Sequence, residues 1–227
     1  MDQFERLKIL VGDEKFKKIN NLTVLIIGLG GVGSYAVEAL VRSGIKKIIL
    51  IDSDKIDITN LNRQLMTNYN NIGNYKTDSI KERISSINKF IEVKCINEYI
   101  TKDNIELLFN DKVDYIIDAC DSVNTKKEII RQCTKRKIKF ISSMGVGNKM
   151  EPSRLRITDV RKTNYDPISK IIRKMVRDEK IRQKIPVVFS DEIPIKTNKI
   201  IGSNSFVPAT AGLLCASYVI NDFIKEW

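Results

Sequence analysis

The chain has 227 residues, enough for one large domain and few for two. Hydrophobic residues make up 42% and charged residues 30%, which excludes disordered and fibrous classes. Lys and Arg number 39 against 28 Asp and Glu, a net charge of +11, and the absence of histidine excludes Ser-His-Asp triads, Cys-His pairs and histidine zinc sites.

Residues 22–27 (LTVLII) form a continuous apolar run ending at glycine, the pattern of a central parallel strand buried on both faces. Residues 33–43 carry a helical pattern stopped by Gly44, and residues 47–51 make a second strand. The unit predicts a right-handed crossover between parallel strands. The pattern then repeats: helix 74–87, strand 92–96, short helix 102–109, strand 113–118, helix 124–137 and strand 138–142. Such alternation predicts a doubly wound, mainly parallel, Rossmann-like α/β sheet.

After Gly147 the alternation stops. Residues 154–158 alternate with period two, as an antiparallel edge strand does. Residues 167–185 are amphipathic, with Ile168, Ile171, Ile172, Met175 and Val176 on one stripe and Lys and Arg on the other. A short strand at 187–189, a mobile crossover loop at 194–204 and an apolar helix at 208–224 follow. The simplest organisation is one domain, a nucleotide-binding core over 1–147 with a C-terminal extension of antiparallel strand and helices over 148–227. The longest apolar stretch, 206–220, is too short to span a bilayer and reads as a buried helix, so membrane contact is not expected.

The four cysteines, Cys95, Cys120, Cys133 and Cys215, include no CxxC pair, so no zinc site and no disulfide framework are expected. The N-terminus lacks a signal-peptide pattern, and a reduced cytoplasmic protein is the expectation. Positive charge concentrates in two stretches. Residues 126–139 hold seven basic residues and one acid, and residues 151–184 hold eleven and five. Arg131, Lys135 and Arg136 in the first, and Lys170, Arg173, Lys174, Arg177 and Lys180 in the second, are candidate contacts to a polyanionic nucleic acid.

Gly28, Gly30, Gly31 and Gly33 sit directly after the first strand and open a helix, where backbone amides can approach phosphate. Asp52 ends the second strand 24 residues beyond Gly28, where a carboxylate can accept ribose hydroxyls. Asp54, Asn60, Arg63 and Gln64 follow, then Lys76, and Asp121 and Ser122 come after the fourth strand. In a doubly wound sheet these strand ends converge on one crevice. Two cations there suit a polyphosphate, and one carboxylate suits its magnesium. An NAD-dependent dehydrogenase is disfavoured, because the run after Asp52 is too polar and no second domain remains for a reduced substrate.

GLGGVG at 28–33, IDSDKIDITNLNRQ at 51–64, Lys76 and DACDS at 118–122 together resemble the ubiquitin-activating-enzyme-like adenylyltransferases, which use ATP to adenylate a carboxylate. Segments near 141–145, 162–168, 188–192 and 203–208 resemble one branch, the tRNA threonylcarbamoyladenosine dehydratases, whose lack of zinc cysteines matches this chain. The departure is a short loop around 196–202. The resemblance implies ATP and Mg2+ as cofactors and tRNA carrying threonylcarbamoyladenosine next to the anticodon as substrate. It implies Asn60, Arg63, Lys76 and Asp121 as catalytic residues, with Asp121 on the metal. It also implies a homodimer in which Arg6, in a short N-terminal helix, reaches the partner's ATP. The extension would then carry tRNA and dimer contacts, and sulfur-transfer or cysteine-desulfurase-type partners are admitted. The rival is an activator of the C-terminal glycine of a small ubiquitin-like sulfur carrier, disfavoured by the absence of CxxC pairs.

Overall fold

The structure, a computed structural model, describes residues 2–197 and 200–225. Two short helices, α1 (Glu5–Val11) and α2 (Asp13–Ile19), lead into β1 (Thr23–Ile27). Then come α3 (Gly33–Arg42), β2 (Lys47–Ile51), α4 (Lys76–Ile87), β3 (Glu92–Ile96), β4 (Tyr115–Asp118), α5 (Val123–Arg136) and β5 (Lys139–Ser143). The extension adds β6 (Leu155–Asp159), α6 (Pro167–Asp178), β7 (Pro186–Ser190) and α7 (Phe206–Ile224).

The strands form one seven-stranded sheet in the order β3-β2-β1-β4-β5-β7-β6. All pairings are parallel except that of β6 with β7, where Leu155 stands opposite Ser190. The expected antiparallel edge strand is therefore β6. Strand order reverses between β1 and β4, and a crevice opens outside their carboxyl ends at such a point.

The unbroken apolar run of β1 follows from burial on both sides. Val24 and Ile26 enter one core with Ala36, Leu40, Ala211, Cys215 and Val219. Leu25 and Ile27 enter the other with Ile129, Ile130, Ile172 and Val176. Each such aliphatic side chain contributes about 1.5–3 kcal/mol on burial.

The last helix lies across the first crossover. A Cβ on Gly212 of α7 would stand 2.2 Å from the Val32 carbonyl oxygen, so the two backbones approach only because that residue is glycine. By length and composition α7 is the one helix among the described residues apolar enough to cross a membrane, and 44% of its apolar window is buried inside the fold.

Several local expectations are corrected. The 167–185 helix ends at Asp178, and Lys180 lies beyond it with φ +53°. Asp166 starts it by accepting the Ser169 N–H, with Pro167 at the first turn. The 102–109 helix is a 3-10 turn over Ile105–Phe109. In the described part of the 194–204 loop, Ile195 N–H donates to the Asn148 carbonyl at 2.7 Å, Asn148 N–H to the Gly202 carbonyl at 2.8 Å, and Asn62 to the Ser203 carbonyl at 3.1 Å, bonds that sit toward its two ends.

Candidate functional site

A cavity of about 600 Å³ opens at the β1/β4 reversal. Its floor begins where the chain turns at Gly28, whose φ of +85° suits glycine. A Cβ on Gly33 would lie 1.8 Å from the Gly28 carbonyl oxygen, so the start of α3 can seat against the strand end only without a side chain. A Cβ on Gly30 would meet only the Gln64 amide nitrogen at 3.9 Å, which leaves room for a ligand against the backbone.

Asp52 follows β2 and accepts N–H bonds from Leu29 at 2.6 Å and Asp54 at 2.8 Å, which lock it to the glycine loop. Burial pushes its carboxyl above the usual carboxylate range, against the pull of Lys76. Lys76 bonds Asp54 at 2.6 Å and stands 3.9 Å from Asp52.

Asp57 caps the 3-10 turn Ile58–Asn60, and the Asn60 side-chain oxygen accepts the Asp57 N–H at 3.2 Å. That bond orients the buried Asn60 side chain, whose amide group can donate to a ligand. Arg63 donates to the Thr59 carbonyl at 2.7 Å and to Asn62 at 3.0 Å, both neutral, so its charge is uncompensated by a carboxylate. Gln64 lines the same wall with its buried side-chain oxygen unpartnered.

The opposite wall follows β4. Asp118 and Lys126, 0% and 1% exposed, pair beneath it at 3.1 Å, and Ser142 donates to the same carboxylate. The Cys120 N–H bonds Asp118 at 3.2 Å, which fixes the turn presenting Asp121 and Ser122. Ser122 caps α5 and accepts the Thr125 N–H at 3.3 Å, while Asp121 is exposed at the mouth.

The far end of the cavity is built by Ser143 to Gly147, Ile168, Ile201, Ser203 and Pro208. Behind it Lys149, 2% exposed, donates to the carbonyls of Gly145 at 3.0 Å and Ser190 at 3.1 Å. Burial lowers its basicity.

Gly28, Gly30, Gly31, Asp52, Asp54, Asn60, Arg63, Gln64, Lys76, Asp121 and Ser122 all line this cavity. Gly33 supports it from beneath, and Arg6 lies exposed on α1, outside it. Sequence reasoning missed Lys126, counted there as part of a basic patch, together with the far wall and Lys149. Hints of that wall lay in the segments 141–145, 162–168 and 203–208, which carry Ser143, Ile168, Ser203 and Pro208.

The basic candidates divide. A groove of about 1270 Å³ beside α6 is lined by Lys127, Lys170, Arg173, Lys174, Arg177 and Lys180. Arg173 is half-buried and donates to the Thr163 carbonyl at 2.8 Å, so it is a fastener within the fold. In the 126–139 stretch, Lys126 is buried against Asp118, eight residues upstream, so it is not a surface base. Arg131, Arg136 and Lys139 pair with Glu179, Glu106 and Asp222, acids distant in sequence. Lys135 and Arg136 are exposed.

Burial drives the thiols of Cys133 and Cys215 up to about 12 and holds Cys120 well above the ordinary range, so all three stay protonated and poorly nucleophilic.

A sequence profile described as the ThiF family matches residues 4–220. The chain belongs to the ThiF family. A Bacillus subtilis (strain 168) member named tRNA threonylcarbamoyladenosine dehydratase is 40% identical over 244 residues, covering 100% of this chain and 96% of that protein. Crystal structures of Escherichia coli tRNA N6-threonylcarbamoyladenosine dehydratase, one with AMP and one with ATP, superpose with TM-scores of 0.93 and 0.92 at 31% identity. They cover 98% of this chain, and 94% and 93% of those chains. This ThiF-family sheet therefore has its crevice at the reversal shared by that fold.

Proposed function

We propose that this protein is an ATP-dependent dehydratase that cyclises the threonylcarbamoyl group of threonylcarbamoyladenosine in tRNA. The observation that carries the reading is the convergence of the glycine loop, Asp52, Arg63, Lys76 and Asp121 on one cavity, in a chain similar over its whole length to proteins so named.

The residues fit ATP. Space opens against Gly30, the buried Gln64 oxygen lacks a partner, and Arg63 bonds only neutral acceptors. Asp52 would accept the ribose hydroxyls, and the amides near Gly31 would meet phosphate. Asn60, Arg63 and Lys76 would bind the polyphosphate and neutralise charge developing at the α-phosphorus. The described residues contain no cluster of three His, Cys, Asp or Glu able to hold a metal alone. Asp121 would therefore hold Mg2+ together with phosphate oxygens, the usual arrangement for that ion. When bound, Mg2+ supplies charge neutralisation on those oxygens.

In this reading the threonyl carboxylate attacks the α-phosphorus and pyrophosphate leaves. The carbamoyl group then attacks the activated carbonyl within the same molecule, a ring closes and AMP departs. Because the second step is intramolecular, no protein nucleophile is required, in keeping with three protonated thiols. The exposed bases of α6, Lys170, Lys174 and Arg177, with Lys180 and Lys135, would meet the tRNA backbone. We propose further that the chain is one domain, a core over 1–147 with a tRNA- and dimer-contacting extension over 148–227, acting in the cytoplasm as a homodimer. Arg6 would reach the partner's nucleotide. Sulfur-transfer or cysteine-desulfurase-type proteins are candidate partners.

ATP–pyrophosphate exchange tests the reading, run with tRNA carrying threonylcarbamoyladenosine, with a sulfur-carrier protein, and with neither. Exchange and a tRNA nucleoside lighter by one water are expected in the first arm. Exchange only with the carrier overturns the assignment.

A further inference from the structure

Four non-glycine residues among those described have positive φ: Lys137, Asn148, Tyr165 and Lys180. Lys137 caps α5, and Lys180 follows the end of α6, where left-handed residues commonly close helices. Asn148 is a residue type that tolerates the conformation. Tyr165, at φ +49°, precedes the cap of α6 and is neither. A bulky side chain there costs conformational energy that asparagine or glycine would avoid.

The tyrosine is held there from both sides. Thr163 is buried and clasped by Arg173, at 2.8 Å to its carbonyl. Asp166, 2% exposed, caps α6 and packs against Gly145, where a Cβ would lie 2.5 Å from its carboxylate oxygen. Between these anchors Asn164 and Tyr165 stand exposed, the tyrosine at 60%. Its ring therefore adds little to the core, and the backbone beneath it cannot easily relax.

Tyr165 also stands at a junction. Ile168 and Gly145 line the nucleotide cavity, while Pro167 and Lys170 line the basic groove. Tyr165 is thus two residues from Pro167 of the groove and three from Ile168 of the cavity, beside any RNA that engages both. Unpaired bases are captured by stacking on exposed aromatic rings, and a backbone fixed in advance loses little freedom on binding.

We infer that Tyr165 is a stacking platform for an unpaired anticodon-loop base beside the modified adenosine, positioning that adenosine toward the cavity. The inference rests on the tRNA reading above. Tyr165 is a positioning residue and touches neither ATP nor the reacting atoms.

The test uses the full chain and an anticodon stem-loop carrying threonylcarbamoyladenosine, with 2-aminopurine as the neighbouring base. Tyr165→Ala should raise KM for the RNA about 10-fold or more and abolish the quenching of 2-aminopurine seen on binding wild type. Tyr165→Phe should restore both. Tyr165→Gly should melt no lower than Tyr165→Ala, since it relieves the positive φ, yet bind RNA as weakly. The rise in Tm produced by ATP should be the same in all four proteins. If wild type cyclises the RNA and Tyr165→Ala matches its KM and quenching, the platform is refuted while the dehydratase reading stands. If Tyr165→Gly or Tyr165→Ala keeps RNA affinity while Tyr165→Phe loses it, stacking is likewise refuted. A wild type that leaves the RNA unchanged removes the reading itself and the inference with it.

Discussion

Both carboxylate oxygens of Asp118 lie 3.1 Å from the ammonium of Lys126, with the two side chains 0% and 1% exposed. Removing one partner leaves the other buried and unpaired. Lys126→Met should therefore destabilise the fold by about 3–5 kcal/mol in urea denaturation. Adding Asp118→Asn should recover most of the loss. Burial works against the lysine's charge, but Asp118 prevails and raises its folded pKa. Its contribution is therefore full below the unfolded value of 10.5 and lost as pH rises through the higher folded value. A stability profile that is flat through the alkaline range would contradict this.

Among the described residues Arg63 is held by neutral acceptors, and Asp121 is exposed at the mouth. Neither supports the core. Arg63→Ala and Asp121→Ala should each lower pyrophosphate exchange about 10²-fold or more, with far-UV circular dichroism and Tm near those of wild type. Near-normal exchange in both variants would move the phosphate site elsewhere.

Burial raises the Asp52 carboxyl above its ordinary value of 3.8. Only the ionised form accepts both ribose hydroxyls, so nucleotide affinity should fall as pH drops through this elevated value, earlier than for a solvated carboxylate. Calorimetric titration with ATP across the acidic range should show this limb in wild type. In Asp52→Asn the limb should vanish and binding should be weaker throughout.

The excess of positive charge on α6, where Lys170, Lys174 and Arg177 are exposed against Asp178, should make tRNA binding steeply salt-dependent, with affinity falling on the order of 10³-fold between low and moderate salt. The pair of changes Lys174→Glu and Arg177→Glu should flatten that slope and leave ATP binding intact. Filter binding at three salt concentrations measures it, and equal slopes for the two proteins would remove α6 from the interface.

The parallel part of the sheet was legible because β1 and β2 are buried on both faces and so apolar after their first residues, Thr23 and Lys47. The glycine loop and the Asp52–Lys76 region were legible because turn chemistry and polar crowding at a strand end are local signals. Helix α2 was missed because only Phe16 and Ile19 of its seven residues are buried, among lysines and acids. The pairing of Arg131 with Glu179, and the bonds of the 194–204 loop to Asn148 and Asn62, depend on partners far along the chain. No local pattern encodes those. The stretch at 126–139 read as an uncompensated basic patch because Glu179, Glu106 and Asp222 lie elsewhere in sequence, and folding brings them to it.

Pro208 of α7 backs the phosphate loop, where a Cβ on Gly31 would lie 3.0 Å from its ring, and Gly212 seats the same helix on Val32. The nucleotide pocket is thus closed by a segment whose Pro208 is synthesised 177 residues after the Gly31 it backs. A ribosome-bound chain that has reached β5 already holds Asp52, Arg63, Lys76 and Asp121, yet lacks the wall that shapes the loop. Competence for ATP should appear late and abruptly during translation, and a transcript truncated before Phe206 should yield a chain unable to spend ATP.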